Sequence, residues 1–282
     1  MMNYIRLLRV QQWYKNVVVF LALFFSGNLF NLPMLYTISI AFISLCLVSS
    51  AGYIINDLVD KKQDQLHPER KLRPLAAGKI STFTAIMLEV ILLMSGLILA
   101  GKLGKQFFYA ALLLFGLTQV YTFVLKKIII ADVLTIATLF VVRSIAGALP
   151  IQVVISPWLV LVPFFLSLFL SIGKRHGELL LFKDKAGASR QVLQEYSLPF
   201  TNSVMIISTS LVIISYALYS FLSPYNKLLY TLPFALFVIF RYYYLICSGS
   251  TIARNPEQVI KDSPMIIGII IWVIVTTMLV YG

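Results

Sequence analysis

The stretch Asn56-Asp57-Leu58-Val59-Asp60-Lys61-Lys62-Gln63-Asp64 holds the residues best suited to chemistry. Asp57, Asp60 and Asp64 follow an i, i+3, i+7 spacing, and Asn56 lies four residues before Asp60. A helix running through the stretch puts all four side chains on one stripe. Three carboxylates so placed repel one another, and a hard cation such as Mg²⁺ relieves that repulsion. Mg²⁺ takes one or two carboxylates, keeps several waters and completes its shell with substrate phosphate. The competing reading is a solvated, charged helix end beside Lys61 and Lys62, but such ends rarely align their acids on one face at a membrane boundary. The loop that follows, Gln65 to Gly78, adds Arg70, Lys71 and Arg73, three bases within four residues. Arg grips phosphate with a bidentate fork and Lys as a point charge, so acids beside these bases read as Mg²⁺ plus diphosphate. For each base taken alone, topogenic charge facing anionic lipid is the alternative. Pro68 and Pro74 stiffen the loop, while Gly78 and Ser81 end it before the next helix.

The elements that must position this stretch are membrane spans. The chain has 282 residues, of which 60% are hydrophobic and 12% charged, where a soluble domain carries about 25% charged residues. Apolar runs recur throughout, so the fold class is all-α: a polytopic bundle with a cytoplasm-facing polar cavity, forming a single integral-membrane domain over 1–282. Nine spans are expected: Val17–Leu32, Leu35–Ile55, Phe83–Ala100, Phe107–Leu125, Ile128–Leu149, Pro157–Ile172, Phe200–Leu222, Leu228–Ile246 and Met265–Tyr281. Gly27 and Asn28 interrupt the first, and Arg241 breaks the hydropathy of the eighth. Met1 to Asn16 carries Arg6, Arg9 and Lys15 and leads directly into the first span, which argues against a cleavable leader.

With the N-terminus inside, 19 of the 23 Lys and Arg residues fall on the inner side. Lys102, Lys105 and Lys227 fall outside, and Arg143 lies within a span. This asymmetry fixes N-in, C-out in a cytoplasmic (inner) membrane. Ten of the eleven acids are also inner, and only Glu89 sits within a span, where a structural pair with Arg143 is expected. The net charge of +12 is explained by topology, so no nucleic-acid partner is implied. Cys46 and Cys247 read as small core hydrophobes. A transporter needs polar groups at mid-depth and access from both sides. The one-sided polar distribution points instead to an enzyme working at the inner face.

The remaining inner loops add further candidates. Tyr121 and Lys126 precede Asp132, which stands at the start of an apolar helix and there needs a partner such as Lys126, a metal or a hydroxyl. In Gly173-Lys174-Arg175-His176-Gly177-Glu178 a helical turn lets Glu178 pair with Lys174 or Arg175. His176 is read as an interfacial hydrogen-bonding residue, since neither it nor His67 has a second ligand nearby. In Gln12-Trp13-Tyr14-Lys15-Asn16 the aromatics read as an interfacial anchor, and Gln12 and Asn16, four apart, could line a site edge.

Asn56-Asp57-x-x-Asp60-x-x-x-Asp64 followed by Arg73-Pro74-Leu75-x-x-Gly78 resembles the first aspartate-rich motif of the UbiA superfamily of intramembrane prenyltransferases, and the resemblance covers essentially the whole chain. Arg9-Val10-Gln11-Gln12-Trp13-Tyr14-Lys15-Asn16 is similar to the opening of its decaprenyl-phosphate phosphoribosyltransferase branch, with Val10 where that branch usually has proline. Tyr121, Lys126 and Asp132 are similar to that branch's second motif, and Gly173-Lys174-Arg175-x-x-Glu178, with Arg190 and Tyr196, to its third inner loop. The loop Ser248 to Asp262 is only loosely similar. The resemblance implies a reaction in which phosphoribosyl diphosphate and a polyprenyl phosphate give polyprenyl-phosphoryl-phosphoribose and diphosphate, a product that the family directs to the cell envelope. It further implies Mg²⁺ on Asn56, Asp57, Asp60 and Asp64. Gln12, Lys15, Arg70, Lys71, Arg73, Tyr121, Lys126, Lys174, Arg175 and Glu178 would bind substrate, and Asp132 the ribose hydroxyls or a second metal. The alternatives are alkylation of an aromatic acceptor by a prenyl diphosphate, and a transporter or lipid-binding protein. A homo-oligomer is compatible with each.

Overall fold

The computed structural model describes residues 2–66, 70–181, 191–225 and 227–282. His67, Pro68, Lys183, Lys185 and Arg190 lie outside the described residues. Described regular structure is helical throughout. It divides into two compact units, Met1–Ile155 and Ser156–Gly282.

The first unit begins with α1 (Met2–Leu8). Arg9 then adopts a left-handed backbone conformation (φ 50°) and turns the chain into an eleven-residue 3₁₀ helix, Val10–Phe20, followed by α2 (Leu21–Phe25). Gly27, at φ 76°, ends this arm. Next come α3 (Leu32–Val59), α4 (Lys61–Leu66), α5 (Thr82–Lys102), α6 (Lys105–Phe123) and α7 (Ala131–Ala148). Ser81, expected from sequence to end the loop before the next helix, caps α5 by accepting at Oγ from Thr84 N at 3.0 Å, and Asn31 Oδ1 likewise accepts from Met34 N at 3.3 Å to start α3. Gly78 makes the preceding turn at φ 67°.

Eight helices among the described residues are long and apolar enough to cross a membrane. The expected first span, Val17–Leu32, is not one of them, because its chain is 3₁₀ and then short α. It nevertheless runs antiparallel beside α3. Trp13 Nε1 donates to Ser50 Oγ at 3.0 Å, Asn16 Nδ2 to Cys46 Sγ at 3.2 Å, and the rings of Phe20 and Phe42 lie 5.8 Å apart. A 3₁₀ helix rises about 2.0 Å per residue, so residues 10–25 reach about 30 Å, the thickness of the hydrocarbon core. Val19 and Leu23 join a core with Ile38, Leu45, Leu114 and Ala146. A second core gathers Leu7, Ile54, Leu75 and Ile80, and so anchors the loop behind Arg73. Cys46 is buried as expected, whereas Cys247 is exposed, since its side of the eighth span faces away from the protein.

The second unit contains α8 (Trp158–Leu181), α9 (Leu198–Leu222), α10 (Leu232–Cys247), α11 (Thr251–Arg254) and α12 (Ser263–Tyr281). Arg241, the charge that interrupts the eighth span, reaches Asp262 with two bonds, Nε to Oδ1 at 3.1 Å and Nη2 to Oδ2 at 2.8 Å. Asp262 also caps α12 by accepting from Met265 N at 2.9 Å.

Candidate functional site

The site is built where α3 ends. The helix stops at Val59, Asp60 turns the chain and α4 resumes at Lys61, with near-helical spacing kept by Asp60 N donating to Asn56 O and Asp64 N to Asp60 O. The four acidic-stripe residues therefore fall on two adjacent rows. Asp57 and Asp64, seven apart, share one row, and both are buried. Asn56 and Asp60, four apart, share the other. The single stripe expected from sequence is split because 3.6 residues per turn sets i+3 and i+7 at different angles.

Each row meets its own bases. Arg73 Nη1 donates to Asp57 Oδ1 at 3.1 Å and to Asp64 Oδ2 at 2.6 Å, while Arg9 Nη2 also donates to Asp57 Oδ1. Lys126 Nζ donates to Asp60 Oδ1 at 2.6 Å and to Asn56 Oδ1 at 3.3 Å. Three acids and three bases form a neutral cluster. Burial holds the Asp64 carboxyl above its ordinary value, although Arg73 beside it pulls the other way. Burial lowers the Arg73 guanidinium, with Arg9 adding repulsion. For Arg9 burial also opposes the charge, but the Asp57 carboxylate overcomes it and the value is raised.

The other sequence candidates sit as follows. Arg70 and Lys71 occupy a short 3₁₀ turn (Arg70–Leu72), and Lys71 is exposed. Asp132 is fully buried in the first turn of α7, where the helix dipole favours a carboxylate. It follows Ile130 at φ 68° and ψ −46°, the centre of a γ-turn closed by Ala131 N donating to Ile129 O at 2.8 Å, a strained conformation for a β-branched residue of the kind that clusters at functional sites. Tyr121 lies in the last turn of α6, half-buried. Gln12 and Lys15 lie on the 3₁₀ helix, and Lys15 Nζ stands 6.0 Å from the centre of the Tyr53 ring. In the second unit α8 continues through Lys174, Arg175 and Glu178, and buried Arg175 donates from Nη1 to Glu178 Oε2 at 3.1 Å, one of the two pairings expected. His176 Nδ1 pairs with Thr201 Oγ1 at 2.9 Å, the hydrogen-bonding role expected of it.

The expected pair of Glu89 and Arg143 does not form. Arg143 is buried and donates to Asn16 Oδ1 (Nε, 2.7 Å), Leu139 O (Nη1, 3.0 Å) and Ser49 Oγ (Nη2, 3.5 Å). Glu89 lies on α5, half-exposed and away from this network. Sequence reasoning also missed Arg9 and Tyr53 as site residues. Tyr53 stands four before Asp57 on α3, and the Arg9 guanidinium lies 5.2 Å from its ring centre. The signal for Arg9 was its place in the basic opening stretch; for Tyr53 it was the helical spacing to Asp57.

Among the described residues no three His, Cys, Asp or Glu side chains are arranged to hold a metal unaided. The donors present are all hard oxygens: the buried carboxylates of Asp57 and Asp64, bridged by one guanidinium nitrogen, with Asp60 and Asn56 beside them. That set fits a Mg²⁺ ion that brings phosphate ligands of its own.

An all-helical, multi-pass membrane protein with its acids and bases gathered at one helix end is the class that fold and site define. The chain belongs to the UbiA prenyltransferase family, whose model matches residues 16–245. It is 30% identical over 287 residues to the decaprenyl-phosphate phosphoribosyltransferase of Mycolicibacterium smegmatis, covering 95% of this chain and 89% of that protein. It is also 30% identical over 288 residues to the protein of the same name from Corynebacterium glutamicum, covering 98% and 86%. Among solved structures, a UbiA homolog from Archaeoglobus fulgidus bound to GPP and Mg²⁺ matches with a TM-score of 0.72 at 19% identity, over 96% of this chain and 99% of that one.

Proposed function

We propose that the chain transfers the 5-phosphoribosyl group of phosphoribosyl diphosphate to a polyprenyl phosphate. An oxygen of the lipid phosphate bonds to ribose C1 as the bond from C1 to the diphosphate oxygen breaks, and diphosphate leaves with the electron pair. The observation that carries the reading is full-length similarity to relatives named for this activity, joined to a neutral cluster of paired acids and bases at the end of α3. The attacking phosphate is already an anion, so the chemistry needs no strong general base.

Asp57 and Asp64, with Asp60 and Asn56, would hold Mg²⁺; the ion, when bound, neutralises charge developing on the leaving diphosphate. Arg73, Arg9 and Lys126, now paired with carboxylates, would supply the diphosphate with donors, joined by Arg70 and Lys71. Lys15, Gln12, Tyr121, Lys174, Arg175 and Glu178 are assigned to substrate phosphates and their support, and Asp132 to the ribose hydroxyls. We read residues 10–25 as a ninth pass, which with the basic inner loops gives N-in, C-out and a site on the cytoplasmic side.

The test is a donor assay on purified protein in nanodiscs with Mg²⁺. Label moving from phosphoribosyl diphosphate into the lipid fraction supports the reading. Label remaining in water, with an aromatic acid alkylated by a prenyl diphosphate in a parallel tube, overturns it in favour of prenyl transfer.

A further inference from the structure

Arg143 is a guanidinium buried within the α7 span whose described contacts are all uncharged: Asn16, Ser49, the Leu139 carbonyl and, 5.7 Å away, the Phe140 ring. A buried cation without a carboxylate is expensive and in membrane segments marks a functional position. Its shortest bond ties α7 to the 3₁₀ helix at Asn16. One turn further along α7, Gly147 lets the backbones touch, since a Cβ there would lie 2.0 Å from Val19 O. Asn16 and Val19 are three apart on the 3₁₀ helix, and Arg143 and Gly147 four apart on α7, so each helix offers one face at its own period.

The period of three is visible along the segment. Gln11, Tyr14 and Val17 are exposed, Asn16 and Val19 are buried, and Gln12, Lys15 and Val18 lie between. In a 3₁₀ helix residues three apart eclipse one another, whereas in an α-helix they diverge by about 60°. Eleven residues is long for 3₁₀ geometry, so something must hold it. Asn16 is gripped on three sides: its Oδ1 accepts from Arg143 Nε at 2.7 Å and from Ser49 Oγ at 3.4 Å, and its Nδ2 donates to Cys46 Sγ at 3.2 Å.

We infer that Arg143 is a positioning residue: by holding Asn16 it fixes the 3₁₀ register that keeps Gln12 and Lys15 in one row, with Lys15 beside Tyr53, one turn before Asp57 on α3. Its kinetic consequence rests on the proposed phosphoribosyl transfer; its structural consequence does not. Relaxation to α geometry would swing Lys15 out of the row and bring Val18, not Val17, onto the face of Gln11.

The experiment reads both. Nitroxide labels are placed singly at Gln11, Tyr14, Val17 and Val18 in a Cys247→Ser background, and oxygen accessibility is measured by electron paramagnetic resonance in nanodiscs. The unaltered protein gives Val17 the higher accessibility. In Arg143→Met the order of Val17 and Val18 inverts, Asn16→Ala does the same, and combining the two adds nothing further. Arg143→Lys, which retains a donor for Asn16, preserves the order. In the transfer assay Arg143→Met raises KM for phosphoribosyl diphosphate about tenfold with kcat within about threefold, and Arg143→Lys recovers most of the loss. An unchanged accessibility pattern in both Arg143→Met and Asn16→Ala overturns the inference, whatever the assay shows. A fall in kcat with constant KM and reduced thermal stability assigns Arg143 to packing alone. Absence of phosphoribosyl transfer in the unaltered protein, with the pattern inverted as expected, overturns the functional reading and leaves the positioning role standing.

Discussion

Replacing Arg73 by Met tests whether one guanidinium is the counter-ion of a latent metal site. Arg73 Nη1 bonds both Asp57 and Asp64, whose side chains are each 2% exposed against 24% for Arg73. Breaking a fully buried ion pair from one side costs about 3–5 kcal/mol. Here Asp57 keeps Arg9 and the Arg73 side chain is partly exposed, so the expected loss is about 2 kcal/mol, most of it at Asp64. The Asp64 carboxyl already lies above its ordinary value through burial, against the pull of Arg73, and rises further without that pull. A carboxyl raised in the folded state binds protons more tightly there than in the unfolded chain, so it weakens the fold as pH rises through its folded value. Arg73→Met therefore regains stability on acidification from neutral pH, fully so below the unfolded value of 3.8. Removing a unit positive charge about 4 Å away is worth about 4 kcal/mol at an effective dielectric of 20, before screening. Mg²⁺ without substrate should consequently bind the variant at least about tenfold more tightly than the unaltered protein, about 1.4 kcal/mol. Thermal unfolding in detergent, scanned against pH and against Mg²⁺, measures all three effects. A variant as stable as the parent at neutral pH, and indifferent to acid and Mg²⁺, would refute the reasoning.

Asp57→Ala and Asp64→Ala should each lower turnover at saturating Mg²⁺ by about 10²–10³, the range for losing one preorganised electrostatic group, as read by label transfer into lipid. Gly147→Ala forces a methyl group to 2.0 Å from the Val19 carbonyl oxygen and should cost about 3 kcal/mol, seen as a lowered unfolding temperature. The bond from Arg241 holds the Asp262 carboxyl below the ordinary range. Its stabilisation is present above the unfolded value and lost as pH falls through the folded one, so the acid limb of a stability profile should flatten in Asp262→Asn.

The spans and the aspartate-rich helix end were legible because both are local: hydropathy over some twenty residues, and spacing within nine. Partner choice was not. Asp60 turns to Lys126, 66 residues away, and Arg143 reaches Asn16, 127 residues away. Only tertiary packing makes those pairs, and opposite charge inside the membrane pointed wrongly to Glu89. The first span was misjudged in kind because apolar composition does not tell α from 3₁₀. Its period-three exposure is set by Asn16 and Val19 meeting α7, and alternatives of equal hydropathy would read the same in sequence. The split of the acidic stripe was in principle calculable, since it follows from 3.6 residues per turn, but the break at Asp60 was not.

The pairing pattern bears on how such a site stays unreactive between turnovers. Asp57, Asp60 and Asp64 are each met by Arg9, Arg73 or Lys126, so the three carboxylates are already compensated by three bases before any ligand arrives. A lone Mg²⁺ must displace a guanidinium that then has no carboxylate, and a lone diphosphate must draw bases from acids that then stand unpaired; each exchange leaves buried charge uncompensated. On the proposed reading, a diphosphate arriving with Mg²⁺ would resolve both at once: Asp57, Asp60 and Asp64 would be the residues to hold the metal, and Arg73 and Lys126 would be left to donate to phosphate oxygens. On the proposed reading, selectivity for the metal-bound donor over either part is a property of paired counter-ions, not of a preformed metal cage. It is also the reason Arg73, rather than any of the carboxylates, is the substitution that should uncover metal binding on its own.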